Sequence, residues 1–347
     1  MRKLASVQKI KSIEPIENAD AIEKATVLGW NVVVKKNEFK PGDFCVYFEI
    51  DSLLPDEPLY EFLKKTSWNS RYNKIRLKSI RLRGVVSQGL AIPLSSFDIN
   101  WSVYNEGDDL TDLLKIEKYE PIIPASLGGD VNSFTWPISK TDEERIQSNP
   151  DFYFEAMKGK QYYATVKLDG TSASYILCKS DEGEIEFHVC SRNYSLKYKE
   201  DNTLWQIAVK YNIERKLKDY FLHTGDMLAI QGEVCGPGIQ KNRLNLSEHQ
   251  LFVFNVIDVE TGRKIPFESM GIMGNVFGLK TVPILEQGSE FPYKTVKELL
   301  NLAKGKYKEH IDTAIASQDR EGIVIRTNDQ SVSFKVINND FLLKNEE

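Results

Sequence analysis

The hydrophobic and polar positions in the first 120 residues alternate with the short period of β-strands. Apolar runs at Trp30–Val34 and Phe44–Ile50 are separated by a turn-forming Lys-Pro-Gly-Asp stretch. Basic and apolar residues alternate from 74 to 78, and the phase flips after Ser79, as it does at a β-bulge or a sharp strand bend. Because small barrels need such bends to close, we predict an OB-like β-barrel for residues 1–120.

The rest of the chain mixes strand and helix periodicities. A stretch rich in Pro, Gly and Ser, residues 121–135, is predicted to be a linker to a second domain at 136–347. In that domain helices are predicted at 203–221 and 296–315, and the fold class is therefore α+β. The predicted strands cover residues 161–178, 184–190, 228–235, 251–259, 321–326 and 331–337.

Composition narrows the class of protein and its partners. The 347 residues are 41% hydrophobic and 27% charged, which is typical of a soluble globular protein. The four cysteines are scattered, which predicts neither a zinc site nor a disulfide framework, and no long apolar segment is present. We therefore expect a cytoplasmic protein. With a net charge of −5, any polyanionic partner must meet a local basic patch, and 71–83 holds six Lys and Arg.

The stretch TVKLDGTS, residues 165–172, is a candidate for covalent chemistry. In an extended segment Val166 and Leu168 point to one face, and Lys167 and Asp169 point to the other. An amine and a carboxylate would then lie together at a strand end, with Gly170 allowing a tight turn. The alternative is an Asp-Gly hairpin that carries a solvated lysine.

Four further stretches place charged or polar groups in or at the ends of predicted strands. A glutamate there is costly to bury unless it meets a cation, a metal-bound water or a hydrogen-bond donor. Each group alone could be a solvated surface residue, but together they suit nucleotidyl transfer through a lysine adduct. That reaction needs a neutral amine, so a lysine pKa of about 10.4 must be lowered by cations or a metal ion. The groups are Arg192 and Asn193 in SRNYSL, Glu233 in MLAIQGEVCGPG, Glu321 and Arg326 in EGIVIR, and Lys335 in SVSFKVIN.

The ordered set KLDG, SRN, QGEVCG, LFVFNV, EGIVIR and FKV resembles the signature motifs of the covalent nucleotidyltransferases, which include RNA ligases, DNA ligases and mRNA capping enzymes. The resemblance implies an adenylation domain of antiparallel sheets with flanking helices, which uses Mg²⁺ or Mn²⁺. One position departs from the pattern, because Ile337 stands where a second lysine is common. The implied roles are Lys167 as the nucleophile, Asp169, Glu233 and Glu321 as metal-shell or ribose-contacting carboxylates, Arg192 near the ribose or phosphate, Phe254 stacked on the base, and Lys335 on the α-phosphate.

The order of the domains indicates which branch of the superfamily is closest. DNA ligases and capping enzymes carry an OB domain after the last motif, whereas only twelve residues follow Lys335 here and the predicted barrel comes first. This order, with KTDEERIQ just upstream, is similar to ATP-dependent RNA ligases of the Naegleria type. The resemblance implies a monomer that joins RNA 3′-OH and 5′-phosphate ends, with Lys140, Arg145 and Arg326 as further contacts to ATP.

The N-terminal region also resembles OB modules of the tRNA-binding type, which implies an RNA partner. The barrel's basic residues would hold RNA phosphates, although they could instead orient the pyrophosphate leaving group or cover a solvated face. Two other functions stay open: a non-catalytic RNA-binding protein with a decayed transferase domain, and a GTP-using capping-type nucleotidyltransferase. The basic residues are Arg71, Lys74, Arg76, Lys78, Arg81 and Arg83.

Overall fold

A computed structural model describes residues 2–120, 126–132 and 137–345. The chain divides into two compact units, of which the second comprises Ile122–Arg145 and Asp151–Phe341. The first unit comprises Met1–Pro121 together with Ile146–Pro150 and Leu342–Glu347, two segments that no sequence pattern assigned to it. Much of the predicted linker, 121–125 and 133–135, lies outside the described residues, and the domain limits at 120 and 136 stay a prediction.

Strands are the main regular elements of the first unit. Alternation in the sequence explains them: in the third strand Trp30, Val32 and Val34 are buried, and the residues between them are half-buried. The elements are β1 (Ala5–Pro15), β2 (Ile22–Val27), β3 (Trp30–Lys35), β4 (Phe44–Phe48), β5 (Ser52–Leu54), helix α1 (Lys64–Ser67), β6 (Trp68–Asn69), β7 (Lys74–Arg76), β8 (Ile80–Leu82), β9 (Val85–Ser87), β10 (Leu90–Pro93) and β11 (Glu117–Lys118).

These strands form a five-stranded sheet in the order β10-β4-β1-β2-β3, a four-stranded sheet in the order β11-β5-β7-β6, and the β8-β9 hairpin. Strand β4 lies at the centre of the unit, because alternate residues enter different hydrophobic clusters. Val46 and Phe48 pack in one cluster, and Cys45 and Tyr47 pack in the other.

The phase flip at Ser79 marks a break between strands. Strand β7 ends at Arg76 and β8 begins at Ile80, and the two belong to different sheets. Ile75 and Leu77 are buried before the break, as the alternation predicts. After the break Ile80 and Leu82, which lie on the two-stranded hairpin, are 45% and 37% exposed.

The second unit contains two sheets, and the six predicted strands are found within two residues of their predicted limits, apart from a break at 168–170. The strands Ser195–Leu196, Lys280–Thr281 and Ile284–Gly288 were not predicted. The helices α2 and α7 each include residues of both units. The remaining elements of the chain are α2 (Pro150–Met157), β12 (Tyr162–Lys167), β13 (Thr171–Lys179), β14 (Ile185–Cys190), β15 (Ser195–Leu196), α3 (Thr203–Lys210), α4 (Ile213–Thr224), β16 (Leu228–Cys235), β17 (Gln250–Asp258), α5 (Phe267–Phe277), β18 (Lys280–Thr281), β19 (Ile284–Gly288), α6 (Val296–Leu302), β20 (Gly322–Thr327), β21 (Ser333–Ile337) and α7 (Asn339–Asn345).

Both predicted long helices are wrong in extent. The helix predicted over 203–221 is two helices, α3 and α4, because Asn212 adopts the left-handed conformation with φ of 53°. The helix predicted over 296–315 ends at Leu302, and Gly305 follows with φ of 138°. Only a 3₁₀ turn, Tyr307–Glu309, continues the helical pattern.

The two sheets of the second unit have the orders β19-β12-β20-β21 and β15-β14-β13-β16-β17-β18. Their strand pairs are antiparallel, as predicted, except that β17 and β18 are parallel. Val166 of β12 packs with Cys235 and Phe252 of the other sheet in one hydrophobic cluster. In the part of the chain that the structure describes, no helix has the length and apolarity needed to span a membrane.

Candidate active site

Lys167 is the last residue of β12, and its amine is held by a glutamate from the neighbouring strand. Val166 and Leu168 are 1% and 2% exposed and face the core, whereas the Lys167 side chain is 26% exposed on the opposite face. Lys167 pairs with Gly322 across β20, which brings Glu321 alongside. The Lys167 Nζ donates to Glu321 Oε1 at 2.7 Å. The lysine predicted as the nucleophile is therefore hydrogen-bonded within the protein and not simply solvated.

The Asp-Gly pair does not close a hairpin, and that reading of the sequence is wrong. Strands β12 and β13 belong to different sheets, and residues 168–170 carry the chain from one sheet to the other. Gly170 is required for close approach and not for a turn conformation, since a Cβ there would lie 2.5 Å from the Val234 carbonyl oxygen. The Asp169 carboxylate accepts from Arg243 Nε at 2.6 Å.

Three carboxylates surround the lysine and set its charge. Burial alone would lower the pKa of Lys167, but Glu321, Glu233 and Asp169 outweigh it and raise that pKa. Burial raises the pKa of Glu233 to about 8, with Glu321 and Asp169 adding to the effect and Lys167 and the Gly170 N–H opposing it. Burial and Glu321 also raise the pKa of Asp169, against the pull of Arg243. The lowered lysine pKa expected from the sequence is therefore not found in the protein alone.

The same three carboxylates are the predicted metal ligands. Over residues 2–120, 126–132 and 137–345, no three His, Cys, Asp or Glu side chains lie in positions from which they could together hold a metal ion. The chemistry of the set nevertheless suits a hard divalent cation, because carboxylate oxygens are the ligands that Mg²⁺ and Mn²⁺ prefer. Such a cation would offset the burial and the like charge that raise the pKa of Asp169 and Glu233.

Lys335 lies on β21, opposite Val324 of β20, and is bound by an aspartate from the segment before β12. Asp142 Oδ1 accepts from Lys335 Nζ at 2.9 Å, and Asp142 Oδ2 pairs with Arg192 at 2.6 Å. The structure thus brings Lys335, predicted to contact the α-phosphate, and Arg192, predicted to lie near the ribose or phosphate, to one carboxylate. Ile337, where a second lysine is common, is 3% exposed in the core and supplies no charge.

The other residues predicted to contact the nucleotide differ in how far their side chains are buried. Arg326 is almost fully buried, 3.3 Å from Glu143, with its guanidinium 6.0 Å from the centre of the Phe254 ring. Arg145 forms a parallel bridge with Lys335, and Lys140 is exposed. Their contacts to a nucleotide stay a prediction, as do the roles assigned to the other site residues.

The six predicted RNA-binding residues divide into two groups. Arg71, Arg81 and Arg83 are exposed, and Lys78 is half-buried. By contrast, Lys74 pairs with Glu117 at 2.7 Å, and the Arg76 guanidinium lies 3.6 Å from the centre of the Tyr119 ring and 3.3 Å from Asp51. Lys74 and Arg76 therefore already make contacts within the first unit.

Two residues that organise the site have no recognisable sequence signal. Arg243, in a loop before β17, binds Asp169 and also donates to Gln318 at 2.7 Å. Tyr307 is fully buried, and its hydroxyl donates to the Lys167 carbonyl oxygen and accepts from the Glu321 N–H, both at 3.1 Å. Tyr307 thus ties the backbone of the lysine to that of its glutamate partner, a contact that sequence spacing does not reveal.

Comparison with known proteins defines the class that this fold and site represent. An OB-fold domain profile matches residues 4–94, and the RNA ligase profile matches residues 160–337, which confirms the predicted OB domain followed by a ligase domain. The chain belongs to the RNA ligase family.

Solved structures of one relative align over the whole length. The Naegleria gruberi RNA ligase with PPi is 34% identical, with a TM-score of 0.88, covering 100% of this chain and 99% of that one. Structures of that enzyme in which a lysine is replaced by alanine, with ATP and Mn, and a glutamate by alanine, with AMP and Mn, have the same identity and TM-score and cover 99% of each chain. No curated protein sequence matches significantly.

Proposed function

We propose that this protein joins RNA 3′-OH and 5′-phosphate ends through a lysyl-AMP and an RNA-adenylate intermediate. It is an ATP-dependent RNA ligase, since the Naegleria enzyme that it matches over its full length was solved with ATP, with AMP and with PPi. The observation that carries the proposal is the position of Lys167. Its amine donates a hydrogen bond of 2.7 Å to Glu321, and it also interacts with the carboxylates of Glu233 and Asp169 and with the cation of Lys335.

Replacements made in the Naegleria enzyme support this assignment of residues. They include a lysine and an aspartate two positions apart, as Lys167 and Asp169 are here. They also include a glutamate and a lysine separated by the same number of residues as Glu321 and Lys335. A further glutamate was replaced between these pairs, as Glu233 lies between them here.

The reaction has three steps. Lys167 Nζ attacks the α-phosphorus of ATP, so that a P–N bond forms, the bond to the β-phosphate oxygen breaks and pyrophosphate leaves. An oxygen of the RNA 5′-phosphate then attacks the same phosphorus, and the lysine amine leaves. Finally the RNA 3′-OH attacks the activated 5′-phosphorus, forming the phosphodiester and releasing AMP.

The carboxylates orient the amine of Lys167 but also stabilise its protonated form. Glu321 accepts a hydrogen bond from Lys167 and fixes the direction of its Nζ, but the three carboxylates also keep the amine protonated by raising its pKa. A divalent cation held by Asp169, Glu233 and Glu321 would neutralise that field and polarise the α-phosphate. Lys167 would then lose its proton at a lower pH than in the metal-free protein.

The cations and the aromatic side chain bind the rest of the substrate. Lys335 and Arg192 hold the α-phosphate and offset charge that grows on phosphorus in the transition state. Phe254 stacks on the adenine, Lys140, Arg145 and Arg326 assist the triphosphate, and the exposed arginines of the first unit hold RNA phosphates.

The test is the sealing of a nicked RNA duplex with a labelled 5′-phosphate at the nick. Wild type is expected to seal it with ATP and Mg²⁺, and Lys167→Ala is expected not to. Supplied with a pre-adenylated strand and no ATP, Lys167→Ala should still seal, because the last step does not use the amine. Lys158→Ala, at a lysine whose side chain is 76% exposed, is the matched control. Equal sealing of the ATP-dependent nick by Lys167→Ala would contradict the proposal, as would sealing that requires GTP.

A further inference from the structure

The segment before helix α2 runs beside the last strand of the catalytic sheet. The Lys335 N–H donates to the Glu144 carbonyl oxygen at 2.8 Å, and Arg145 forms a parallel bridge with Lys335. The backbone of residues 144–145 is therefore fixed against β21. Asp142, two residues earlier, is held at the same edge and reaches the Lys335 amine.

Asp142 uses both carboxylate oxygens to connect two cations from different sheets. Oδ1 binds Lys335 Nζ on β21 at 2.9 Å, and Oδ2 binds a terminal guanidinium nitrogen of Arg192 at 2.6 Å, in the turn between β14 and β15. Without the carboxylate, two like charges would face each other, and each long side chain would be free to move apart. One hydrogen bond to each leaves further donors on both cations for a second anion.

The electrostatic surroundings of Lys335 show how much depends on this carboxylate. Burial, with Arg145 and Lys167 adding to it, lowers the pKa of Lys335 to about 8, and Asp142 is the largest influence that opposes them. Glu143 interacts with Lys335 as well, but it is hydrogen-bonded to Ser333 and paired with Arg326 and Lys264. Despite burial, Lys335 and Arg192 hold the pKa of Asp142 well below its usual range, so the carboxylate is charged at neutral pH.

We propose that Asp142 is a positioning residue that holds Lys335 and Arg192 together as a two-cation clamp for the α-phosphate of ATP. The inference rests on the proposed function, because it assigns the clamp to ATP. Asp142 does not touch the reacting atoms and acts through Lys335 and Arg192. Its carboxylate, 46% exposed, stays bound while the remaining donors of both cations turn to the phosphate.

The clamp predicts a pH signature that loss of packing alone does not produce. Removing the negative charge in Asp142→Asn is expected to lower the pKa of Lys335 by about one unit or more. One unit below 8 reduces the protonated fraction of Lys335 about threefold at pH 7.5 and about tenfold at pH 9. The ratio of wild-type to variant rate should therefore rise with pH, whereas a general structural defect gives a constant ratio.

The experiment measures single-turnover formation of lysyl-AMP from pH 6.5 to 9.5 in wild type, Asp142→Asn, Asp142→Glu and Glu144→Gln. Asp142→Glu keeps the charge, and Glu144→Gln changes the neighbouring carboxylate that binds Tyr153. Only Asp142→Asn should show the pH-dependent ratio. In parallel, the Lys335 side-chain resonance is titrated in ¹³C-lysine-labelled protein without ATP and assigned through Lys335→Arg.

A lower Lys335 pKa in Asp142→Asn, together with the rising ratio, is the expected result. An unchanged Lys335 titration, or a rate ratio that does not vary with pH, would overturn the clamp and leave the ligase proposal intact. Failure of the wild type to form lysyl-AMP would instead overturn the proposed function, and the titration would still report on the Asp142–Lys335 contact. Thermal unfolding verifies that each variant is folded.

Discussion

The buried hydroxyl of Tyr307 offers a sharp test of how the active site is held together. Tyr307→Phe keeps the ring but removes the one group that links the Lys167 carbonyl to the Glu321 N–H, both at 3.1 Å. Each lost hydrogen bond costs about 1 kcal/mol net, and more where a buried partner is left unsatisfied. We expect a loss of about 2–3 kcal/mol, which lowers the melting temperature of a unit of this size by roughly 4–12 °C.

Tyr307→Phe should also slow the reaction, because the Tyr307 hydroxyl positions the backbone of Lys167 and of Glu321. A small displacement of a nucleophile can cost about a hundredfold in rate, so we expect lysyl-AMP formation to slow at least about tenfold at saturating ATP. Differential scanning calorimetry and a single-turnover adenylation assay measure the two effects. Tyr194→Phe, at a tyrosine that is 51% exposed, is the control and should change neither. A Tyr307→Phe protein with the melting temperature and rate of wild type would refute this account of the site.

Three other changes test separate features. In Gly170→Ala the new Cβ would lie 2.5 Å from the Val234 carbonyl oxygen, so we expect a loss of about 2 kcal/mol or more in unfolding free energy, read by chemical denaturation. Arg243→Gln leaves Asp169 without its cation and should cost about 3–5 kcal/mol at pH 7. Because Arg243 lowers the pKa of Asp169, losing it raises that folded-state pKa further, so the deficit should shrink as the pH falls through that value and Asp169 is protonated. Arg83→Gln, at an exposed arginine, should reduce the slope of log affinity for RNA against log salt by about 1, whereas Lys74→Gln, at a lysine paired with Glu117, should change it less.

The strands could be predicted from the sequence because their signal is local. Alternating side chains at 165–169 and 331–337, and the apolar run at 227–230, predict the strands that carry Lys167, Lys335 and Glu233. The long helices could not be predicted in full. A single left-handed residue, Asn212, or a glycine such as Gly305 breaks a helix without disturbing the apolar period on either side of it.

The contacts that organise the site are non-local, and spacing along the chain does not contain them. Tyr307 meets Lys167 from 140 residues away, and Arg243 meets Asp169 from 74 residues away. Gly170 shows a related limit: a glycine after aspartate indicates a turn, but here it permits close contact with β16, which only the three-dimensional packing reveals. The pKa of Lys167 also depends on carboxylates from three strands or strand ends, and its direction was not evident from the motif.

The central claim is that Lys167 forms the covalent bond to the nucleotide. The most direct measurement incubates the protein with Mg²⁺ and ATP or GTP labelled at the α-phosphate, denatures it, and locates the label by peptide mass spectrometry. We predict that ATP labels the wild type on the peptide containing Lys167, that acid releases the label as expected for a P–N bond, and that Lys167→Ala takes up none. Labelling of Lys167→Ala, or labelling with GTP alone, would contradict the account.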